Sequence, residues 1–403
     1  MGLLLIAACA SLAAWLWLTF AQGMFWRTDV RLPPRTAPAR WPSVAIVVPA
    51  RDEAGVLPRS LPSLLAQDYP GEARIVLVDD GSSDGTAELA HRLAARQPGL
   101  PLTVVTPGDP PSGWTGKLWA LRHGIAHARA TATATAPVTA GSQGPEYLLL
   151  TDADIAHEPD SLRELVAAAT SAGLDLVSQM ARLRVDGFWE RVVVPAFVYF
   201  FAQLYPFRRI NSPTARTAAA AGGCVLLRTE AAVRAGIPDS IRQAVIDDVS
   251  LARAVKRSGG RIWLGLAERV DSVRPYPALG DLWRMVSRSA YAQLRHQPLL
   301  LAGTVAGLVL VYLVPPAALL AGLAAAPSPG RTATAWAGGL AWLLMAGTYL
   351  PMLRYYRRSP ALAPLLPLTA LLYLLMTVDS AVQHYRGRGA AWKGRTYARP
   401  SDA

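Results

Sequence analysis

Pairs of acidic side chains follow short apolar runs of this chain, and such pairs can bind a cation or move a proton. Asp152 and Asp154 stand one residue apart, directly after the apolar run at residues 147–150. Carboxylate oxygens are the hard ligands that Mg2+ or Mn2+ prefers, and either cation keeps open positions for substrate phosphates. The same two aspartates could instead serve a turn, with Asp154 close to the start of the next helix. Taken alone, the pair favours the cation site and the turn about equally.

Three more polar loops are predicted to lie at the same edge of one β-sheet as this pair. The run at residues 147–150 is continuous rather than alternating, which predicts a strand buried on both faces of a parallel sheet. In such sheets ligands bind beyond the carboxyl ends of the strands. The other loops at this edge are Asp52-Glu53, Asp79-Asp80 and residues 114–117. A charge cluster, a turn and an ordinary loop explain them singly, but their common location favours a ligand site.

The elements that must position these loops alternate between strand and helix. Predicted strands lie at residues 43–48, 73–78 and 102–106, and predicted helices at residues 56–67, 86–95 and 117–130. This order predicts an α/β fold with a mostly parallel, doubly wound sheet. A threonine- and alanine-rich stretch at residues 131–144 is predicted to be a surface insertion. Further strands are predicted at residues 174–179, 224–227 and 261–266, and helices at residues 160–172 and 246–257.

Four apolar segments are long enough to cross a bilayer: residues 3–21, 299–325, 332–353 and 362–382. The first lacks a basic leading region and a good cleavage site, so we predict a retained anchor rather than a signal peptide. Four arginines follow it within residues 27–40, and the positive-inside rule then places the next part of the chain in the cytoplasm. The sequence therefore predicts a multi-pass protein of a bacterial-type plasma membrane.

The C-terminal apolar segments leave one conflict in this topology. Three crossings after a cytoplasmic domain would place the basic tail, residues 383–403, outside the cell, against the same charge rule. Prolines at positions 315, 316, 364 and 367 allow one of the segments to be re-entrant instead. The sequence thus predicts three C-terminal membrane segments without fixing how many of them cross.

Charge and cysteine content narrow the class of partners. The net charge of +12 fits attraction to anionic lipid headgroups better than nucleic-acid binding, because membrane segments are present. The two cysteines, Cys9 and Cys224, leave no room for a disulfide framework and fit a reducing compartment. The aromatic segment at residues 192–209 ends in two arginines and is predicted to lie at the membrane surface, with a buried core helix as the alternative.

The motifs resemble those of family 2 glycosyltransferases, which have the GT-A fold of nucleotide-diphospho-sugar transferases. The matching segments are Pro-Ala-Arg-Asp-Glu-Ala at residues 49–54, Val-Asp-Asp-Gly-Ser-Ser-Asp-Gly-Thr at 78–86, Thr-Asp-Ala-Asp at 151–154, Gly-Gly-Cys at 222–224 and Asp-Asp-Val-Ser-Leu at 247–251. The block at residues 113–120 and the flanking apolar segments are similar to the ceramide-glucosyltransferase-like branch. The whole layout most resembles the hopanoid-biosynthesis-associated glycosyltransferases.

The resemblance implies a role for each polar group at the predicted edge. Asp248 would be the general base that takes the proton from the acceptor hydroxyl. The donor, a nucleotide-diphospho-sugar, would contact Pro49, Arg51, Glu53, Asp79, Asp80, Lys117 and Asp152. Asp152 and Asp154 would hold the divalent cation, Mg2+ or Mn2+, that bridges the diphosphate. Gly222, Gly223, Asp247 and Arg288 would lie near the acceptor or the phosphates.

Several of these residues also have a purely structural explanation. Asp247 and Asp248 stand at the start of a predicted helix, where a carboxylate caps the helix or interacts with its dipole. Gly222 and Gly223 suit a tight turn as well as close approach of the backbone to a ligand. Lys117 could be a surface lysine, although the chain contains only three lysines.

The resemblance implies an inverting enzyme that transfers a sugar to a membrane lipid, in hopanoid biosynthesis. Processive members carry Gln-x-x-Arg-Trp after the base, but the nearest segment here is Met-Val-Ser-Arg-Ser at residues 285–289, which disfavours a polysaccharide synthase. A catalytically inactive membrane scaffold is also disfavoured, because every acidic position expected of an active enzyme is filled. The expected partners are a nucleotide-diphospho-sugar, a membrane lipid and the lipid bilayer, with no nucleic acid. The expected domains are an anchor at residues 1–24, a cytoplasmic GT-A domain at 41–295, transmembrane helices at 299–382 and a basic tail at 383–403.

Overall fold

The computed structural model describes residues 2–135, 144–324, 326, 328–387, 391–392 and 395–396. The chain divides into two compact units. A helical unit contains Met1–Asp29, Val185–Arg208 and Tyr276–Ala390, and an α/β unit contains Val30–Arg184, Arg209–Pro275 and Ala391–Ala403. The predicted domain of residues 41–295 has other bounds than the α/β unit. Two helices inside that range, Phe188–Leu204 and Leu279–Gln293, pack against the apolar helices of the helical unit.

Ten strands and fourteen α-helices follow one another in the described residues. The strands are β1 (Val44–Ala50), β2 (Ala73–Asp79), β3 (Leu102–Val105), β4 (Tyr147–Thr151), β5 (Ile155–His157), β6 (Leu176–Arg182), β7 (Cys224–Arg228), β8 (Ile262–Ser272), β9 (Ala391–Trp392) and β10 (Arg395–Thr396). The α-helices are α1 (Gly2–Phe20), α2 (Leu57–Leu65), α3 (Thr86–Arg96), α4 (Gly116–Thr135), α5 (Ser161–Ala172), α6 (Phe188–Leu204), α7 (Phe207–Ile210), α8 (Thr229–Arg234), α9 (Asp247–Arg257), α10 (Leu279–Gln293), α11 (Pro298–Leu308), α12 (Val314–Leu323), α13 (Pro329–Tyr355) and α14 (Leu366–Tyr385). A π-helical stretch joins α11 to α12, and a 3-10 helical stretch, Pro360–Leu365, leads into α14.

A mixed sheet forms the centre of the α/β unit, and its strand order in the described residues is β3-β2-β1-β4-β7-β6-β8-β5. Strands β1 to β4 run parallel to one another, which confirms the predicted mostly parallel α/β sheet. Strand β7 runs antiparallel to β4 and β6, and β5 runs antiparallel to β8. Because β2, β1 and β4 are neighbours with the same direction, the loops after them meet at one edge of the sheet.

The central strands are buried along their whole length, as their unbroken apolar runs predict. Every residue of β1 and β4 is buried. One face of the sheet packs against α2, whose residues Leu57, Leu61 and Leu64 join the main apolar core. On the other face α4 approaches so closely that a Cβ atom at Gly124 would lie 2.5 Å from Val47. The sheet is therefore fixed from both sides beneath its ligand edge.

The ends of one helix and one strand differ from the prediction, and one short strand is additional. Helix α4 continues through Thr135, so the first part of the predicted insertion is helical, and residues 136–143 lie outside the described part of the chain. The three-residue strand β5 was not predicted. Strand β8 runs to Ser272, past the predicted end at residue 266, because its second half pairs with β5. Both differences arise from pairing between segments far apart in sequence, which local patterns do not contain.

Four helical segments of the described residues are long and apolar enough to cross a membrane: Gly2–Phe20, Pro298–Leu323, Pro329–Tyr355 and Pro360–Tyr385. Helices α12 and α13 run antiparallel and in close contact. A Cβ atom at Gly338 would lie 2.7 Å from the carbonyl oxygen of Pro315, and one at Gly322 would lie 2.7 Å from Ala335. Small residues allow this approach, as is usual between membrane helices. Helix α1 packs against both α12 and α13.

The last apolar segment returns to the face at which it begins. The indole nitrogen of Trp342, in the middle of α13, donates to the carbonyl oxygen of Pro364 at 3.1 Å. Trp342 lies about 20 Å along the helix from the C-terminal end of α13, so the chain has turned back beside α13 by Pro364. Helix α14 then runs antiparallel to α11, since the rings of His384 and His296 stack with their centroids 4.2 Å apart just before α11 begins. Because α13 is antiparallel to α12, both ends of Pro360–Tyr385 lie at the face where α11 begins. The contacts therefore favour the re-entrant alternative for this segment.

Helices α6 and α10 also belong to the helical unit. The hydroxyl groups of Tyr199 in α6 and Thr348 in α13 lie 2.8 Å apart, and Tyr373 in α14 donates to the carbonyl oxygen of Val193 at 3.1 Å. Helix α10 packs along α14. The segment predicted to lie at the membrane surface, residues 192–209, is thus helical and largely buried against α13 and α14. Its position in a bilayer stays a prediction.

Candidate active site

The loops after β1 and β2 interlock at the predicted ligand edge. Asp52 has a left-handed backbone with a φ angle of 50°. Its carboxylate accepts hydrogen bonds from the backbone N–H and the hydroxyl of Ser83, at 2.8 and 3.2 Å, while its own N–H donates to Ser82 at 2.9 Å. The carboxylate of Asp84 accepts a hydrogen bond from the N–H of Ala54 at 2.9 Å. These hydrogen bonds join residues 30 or 31 positions apart and hold the two loops together.

Asp79 and Asp80 are buried within this pair of loops, with 6% and 1% of their surface exposed. The carboxylate of Asp79 accepts hydrogen bonds from Ser82. The carboxylate of Asp80 lies 3.6 Å from the guanidinium of Arg51, which also donates to the Asp80 carbonyl oxygen. The structure thus brings three predicted donor-binding residues together, and their contacts order the loops. A contact with a nucleoside stays a prediction.

Lys117, in the first turn of α4, lies between two carboxylates. Its ammonium group is 2.8 Å from Asp152 and 3.0 Å from Asp247. Burial alone would lower the pKa of Lys117, but the two carboxylates outweigh burial, so the pKa is raised and the lysine stays charged. Burial also raises the pKa of Asp152, against the opposing effect of Lys117. Only 18% of the Lys117 side chain is exposed, so the alternative of a surface lysine is wrong.

Asp248 stands beside this cluster at the start of α9. Its carboxylate accepts hydrogen bonds from the backbone N–H groups of Gly222 at 3.0 Å and Val249 at 2.7 Å. Burial, together with the charge of Asp247, raises the pKa of Asp248 to about 6, although Lys117 acts in the opposite direction. A carboxylate with a pKa near neutrality is ionised at pH 7 and still basic enough to accept a proton. Asp248 therefore has the properties of a general base.

The structure decides the structural alternative for Asp247. The capping position of α9 is Ile246, with no side-chain capping bond, and Asp247 pairs with Lys117 instead. Gly222 and Gly223 form a tight turn, closed by the hydrogen bond from the N–H of Cys224 to the carbonyl oxygen of Ala221 at 3.3 Å, so the structural explanation of the two glycines stands beside the functional one.

A Cβ atom at Gly222 would lie 3.4 Å from the Cβ of Asp248 and 3.5 Å from the ammonium of Lys117. A Cβ atom at Gly223 would lie 3.0 Å from Ile155. A side chain at Gly222 would therefore cover the two polar groups that border it.

Arg274 is a site residue that the sequence did not reveal. It follows the end of β8 by two residues, and its Nε atom lies 2.6 Å from the carboxylate of Asp154. Its Nη2 atom lies 2.8 and 2.7 Å from the two carboxylate oxygens of Glu53. Burial alone would lower the pKa of Arg274, but Asp154 and Glu53 outweigh burial and raise it. The local signal was one arginine after a predicted strand, and its two partners precede it by 120 and 221 residues.

A small pocket joins half of the predicted catalytic and donor-binding residues, whereas Arg51, Glu53, Asp79, Asp80 and the predicted metal ligand Asp154 do not line it. Its lining includes Pro49, Lys117, Thr151, Asp152, Gly222, Asp247 and Asp248. These residues come from β1, β4, α4, α9 and the segment before β7, which are distant in sequence. The loops after the parallel strands therefore converge as predicted. Arg288 is exposed on α10, in the helical unit, and its contact with phosphates or acceptor stays a prediction.

The two aspartates after β4 suit a cation that arrives with a substrate. Asp152 and Asp154 offer carboxylate oxygens of the kind that Mg2+ and Mn2+ prefer. In the described part of the chain, no three or more His, Cys, Asp or Glu side chains are grouped to hold a metal ion. Asp152 already pairs with Lys117, and Asp154 with Arg274. The residues therefore fit an ion that takes its other ligands from phosphates and water, rather than an ion held by protein alone.

Sequence comparisons find one family model and two named proteins that are similar to this chain. The family model "Glycosyltransferase like family 2" matches residues 42–292. The chain is 32% identical over 155 residues to the beta-monoglucosyldiacylglycerol synthase of Synechocystis sp., across 38% of this chain and 28% of that protein. It is 31% identical over 135 residues to the succinoglycan biosynthesis protein ExoA of Rhizobium meliloti, across 34% of this chain and 35% of that protein. The matched segments span about a third of the length of these relatives.

A solved structure extends the similarity to nearly the whole chain. Mannosyltransferase PcManGT from Pyrobaculum calidifontis, in complex with GDP-Man and Mn2+, superposes with a TM-score of 0.56 at 21% sequence identity. The superposition covers 94% of this chain and 99% of that one. At this level of identity the similarity concerns the fold, and it confirms the predicted GT-A fold.

Proposed function

The chain belongs to glycosyltransferase family 2, and from this premise we propose that it is an inverting, membrane-bound enzyme that adds one sugar to a membrane lipid. The donor is a nucleotide-diphospho-sugar. The observation that carries the proposal is the group formed by Asp248, Lys117 and Asp152 in one pocket at the carboxyl ends of the parallel strands. This group combines a base with raised pKa and a partly buried positive charge, and both features favour sugar transfer from a diphosphate.

Asp248 is proposed to act on the acceptor. Its carboxylate takes the proton of an acceptor hydroxyl while the hydroxyl oxygen forms a bond to the anomeric carbon of the donor sugar. The bond from that carbon to the diphosphate oxygen breaks with its electron pair, and a nucleoside diphosphate leaves. The backbone N–H groups of Gly222 and Val249 hold the carboxylate in place for this step.

Lys117 is proposed to act on the leaving diphosphate. Its ammonium is held within 3.0 Å of two aspartates, so its position is fixed before the donor binds. A fixed positive charge in a partly buried site stabilises the negative charge that grows on the leaving group. Asp152 and Asp154 would hold a divalent cation, Mg2+ or Mn2+, which when bound neutralises the same phosphates. Arg51, Glu53, Asp79 and Asp80 would border the nucleoside.

A lipid acceptor is favoured by the helical unit and by one relative. Four segments of the described residues are long and apolar enough to cross a membrane. A matched relative is named beta-monoglucosyldiacylglycerol synthase, a name that refers to a lipid. The resemblance to hopanoid-biosynthesis-associated glycosyltransferases makes a hopanoid the first acceptor to test.

The proposed topology has three crossings and one returning segment. Helices α1, α11–α12 and α13 each cross the bilayer, and Pro360–Tyr385 enters and leaves on one side. The arginines at positions 354, 357 and 358 and the end of α14 then lie on the side where α11 begins. With that side in the cytoplasm, the arginines at positions 354, 357 and 358 and the basic tail at residues 383–403 both obey the positive-inside rule.

The test is a transfer assay with purified full-length protein in detergent, a panel of nucleotide sugars and a total lipid extract, read by mass spectrometry. We expect one hexose on one lipid class, and loss of this product with Asp248→Asn, with Asp154→Ala and with a chelator. A polymeric product would instead support a polysaccharide synthase. Nucleotide binding without any product would support an inactive scaffold, and undiminished turnover in metal-free buffer would remove the cation.

A further inference from the structure

Arg274 pairs with the carboxylate of Asp154, the residue that is proposed to hold the cation. One guanidinium group bridges the carboxylates of Asp154 and Glu53, with nitrogen to oxygen distances between 2.6 and 2.8 Å. A divalent cation bound to Asp154 would sit about 2.0–2.1 Å from a carboxylate oxygen if it is Mg2+. Two positive charges at one carboxylate repel each other strongly in a partly buried site. The guanidinium and the cation therefore compete for Asp154.

We infer that Arg274 is a placeholder that holds Asp154 in the donor-free enzyme and releases it when a divalent cation arrives with the nucleotide sugar. The inference rests on the proposed function, because that function supplies the cation and the diphosphate. It adds a positioning residue that the sequence motifs do not contain.

The exposure of the three side chains supports a covering role for the arginine. The Arg274 side chain is 26% exposed, whereas the side chains of Glu53 and Asp154 are 8% and 14% exposed. The arginine thus lies between the two carboxylates and the solvent. If it is removed, Asp154 and Glu53 both lose the positive charge that they share, and Asp154 becomes a stronger site for a cation.

The backbone around Arg274 lets the side chain move without disturbing the sheet. Residues 273–278 lie between β8 and α10 and belong to no helix or strand. The N–H of Val273 donates to the carbonyl oxygen of Asp154 at 2.8 Å, which fixes the backbone at this point. Release of Asp154 therefore needs only a rotation of the long arginine side chain.

The test measures the affinity of the full-length purified protein for Mn2+ alone, by electron paramagnetic resonance of free Mn2+, without nucleotide. We expect Arg274→Gln to bind one Mn2+ at least about fivefold more tightly than the unmodified protein, the low end of typical coupling between sites. Arg269→Gln is the matched control, because Arg269 lies on β8, five residues before Arg274, and pairs with Asp160 outside the site. The double variant Arg274→Gln, Asp154→Ala should lose the gain.

Thermal unfolding gives a second reading if Arg274→Gln folds poorly. Mn2+ should raise the melting temperature of Arg274→Gln by more than that of the unmodified protein or of Arg269→Gln. Arg274→Lys, which keeps a charge but lacks the forked guanidinium, should give an intermediate Mn2+ affinity. Equal Mn2+ affinities and equal Mn2+ stabilisation in all variants would overturn the inference.

Failure of this inference can be told apart from failure of the proposed function. If sugar transfer requires a cation but Arg274→Gln gains no Mn2+ affinity, only the placeholder role is wrong. If Arg274→Gln gains Mn2+ affinity but no sugar is transferred to any lipid, the placeholder role stands and the proposed function is wrong.

Discussion

Asp152 and Asp154 are separated by one residue, and each pairs with a cationic side chain of a different kind. Asp152 pairs with Lys117, which stands in the first turn of α4 and also contacts Asp247. Asp154 pairs with Arg274, which stands on a segment between two elements and also contacts Glu53. The lysine comes from a helix that packs closely on the central strands. The arginine comes from the point where the chain leaves the α/β unit.

The comparison indicates different functions for two clusters of charged side chains. The Lys117 cluster consists of Lys117, Asp152, Asp247 and Asp248, and the Arg274 cluster consists of Arg274, Asp154 and Glu53.

The Lys117 cluster contains the proposed base and a fixed positive charge, so it is expected to keep its geometry through the reaction. In the Arg274 cluster, a divalent cation is proposed to replace the guanidinium of Arg274 at Asp154. The positions of these side chains are therefore expected to change when the donor binds. The following predictions test this difference, from the largest expected effect to the smallest.

Asp248→Asn, in the Lys117 cluster, should abolish most of the sugar-transfer activity of the enzyme. Loss of a general base typically lowers the rate by about 10^2- to 10^4-fold, and we expect kcat/KM for sugar transfer to fall within that range. The melting temperature at pH 8 should not fall. The raised pKa of Asp248 means that its ionised form costs folding free energy above pH 6, and the substitution removes that cost.

Asp239→Asn is the matched control for this variant, because Asp239 is an exposed aspartate that pairs with Arg122. It should retain the unmodified rate and melting temperature. An Asp248→Asn enzyme with an unchanged rate would show that another group takes the proton.

Lys117→Met should weaken both folding and donor binding. It leaves Asp152 and Asp247 close together without the positive charge between them. Because both aspartates are partly exposed, we expect the loss to cost roughly 1–2 kcal/mol of unfolding free energy, less than the loss of a fully buried ion pair. Denaturant unfolding measures the first effect and calorimetric titration with nucleotide sugar measures the second. We expect donor affinity to fall by about tenfold or more, because a charge-assisted contact with phosphate is lost.

Lys256→Met separates the two effects of this substitution. The ammonium of Lys256 donates to the backbone carbonyl groups of Ile210, Ser212 and Thr217, away from the pocket. Its removal should lower stability and leave donor affinity unchanged. If both lysine variants lower donor affinity equally, Lys117 has only a structural role.

The pH dependence of kcat/KM should show the pKa of Asp248. Because the base must be ionised, activity is lost as the pH falls through about 6, by about tenfold per pH unit below that value. Asp247→Asn removes one cause of the raised pKa, so the acid limb should move to lower pH. Initial rates at low substrate concentration, from below the pKa of Asp248 to pH 8, measure both curves. An acid limb that stays in place in Asp247→Asn would contradict the assignment to Asp248.

Gly222→Ala should have the smallest effect. The added methyl group would lie 3.4 Å from the Cβ of Asp248 and 3.5 Å from the Lys117 ammonium, in ordinary contact. We expect kcat to fall by a few-fold without loss of stability, because the methyl group restricts access to both groups. Gly55→Ala is the control, because a Cβ atom there would meet no atom within 4 Å. Equal kinetics for the two alanine variants would show that substrate does not approach Gly222.

The Lys117 cluster could be predicted from the sequence because its members follow predicted parallel strands or begin helices. The convergence of such loops follows from the direction of the strands alone. The Arg274 cluster could not be predicted in this way. An arginine after a strand is not distinctive, and its two partners lie far back in the chain, so only the pairing of β5 with β8 brings it to Asp154.

The course of α14 shows a second limit of sequence reasoning. Hydropathy and length identify an apolar segment, but they do not give the direction in which the segment runs. The prolines at positions 364 and 367 allowed a bend without requiring one. The stacking of His384 on His296 fixes the direction, and this contact joins residues that no local pattern connects.

The proposed return of Pro360–Tyr385 to one side of the bilayer has a consequence for the two ends of the described chain. Under the proposed topology of three complete crossings, the first turn of α1 and the last turn of α14 face different compartments. A protease added outside an intact plasma membrane is then expected to reach an epitope tag placed before α1 and to spare one placed just after Tyr385.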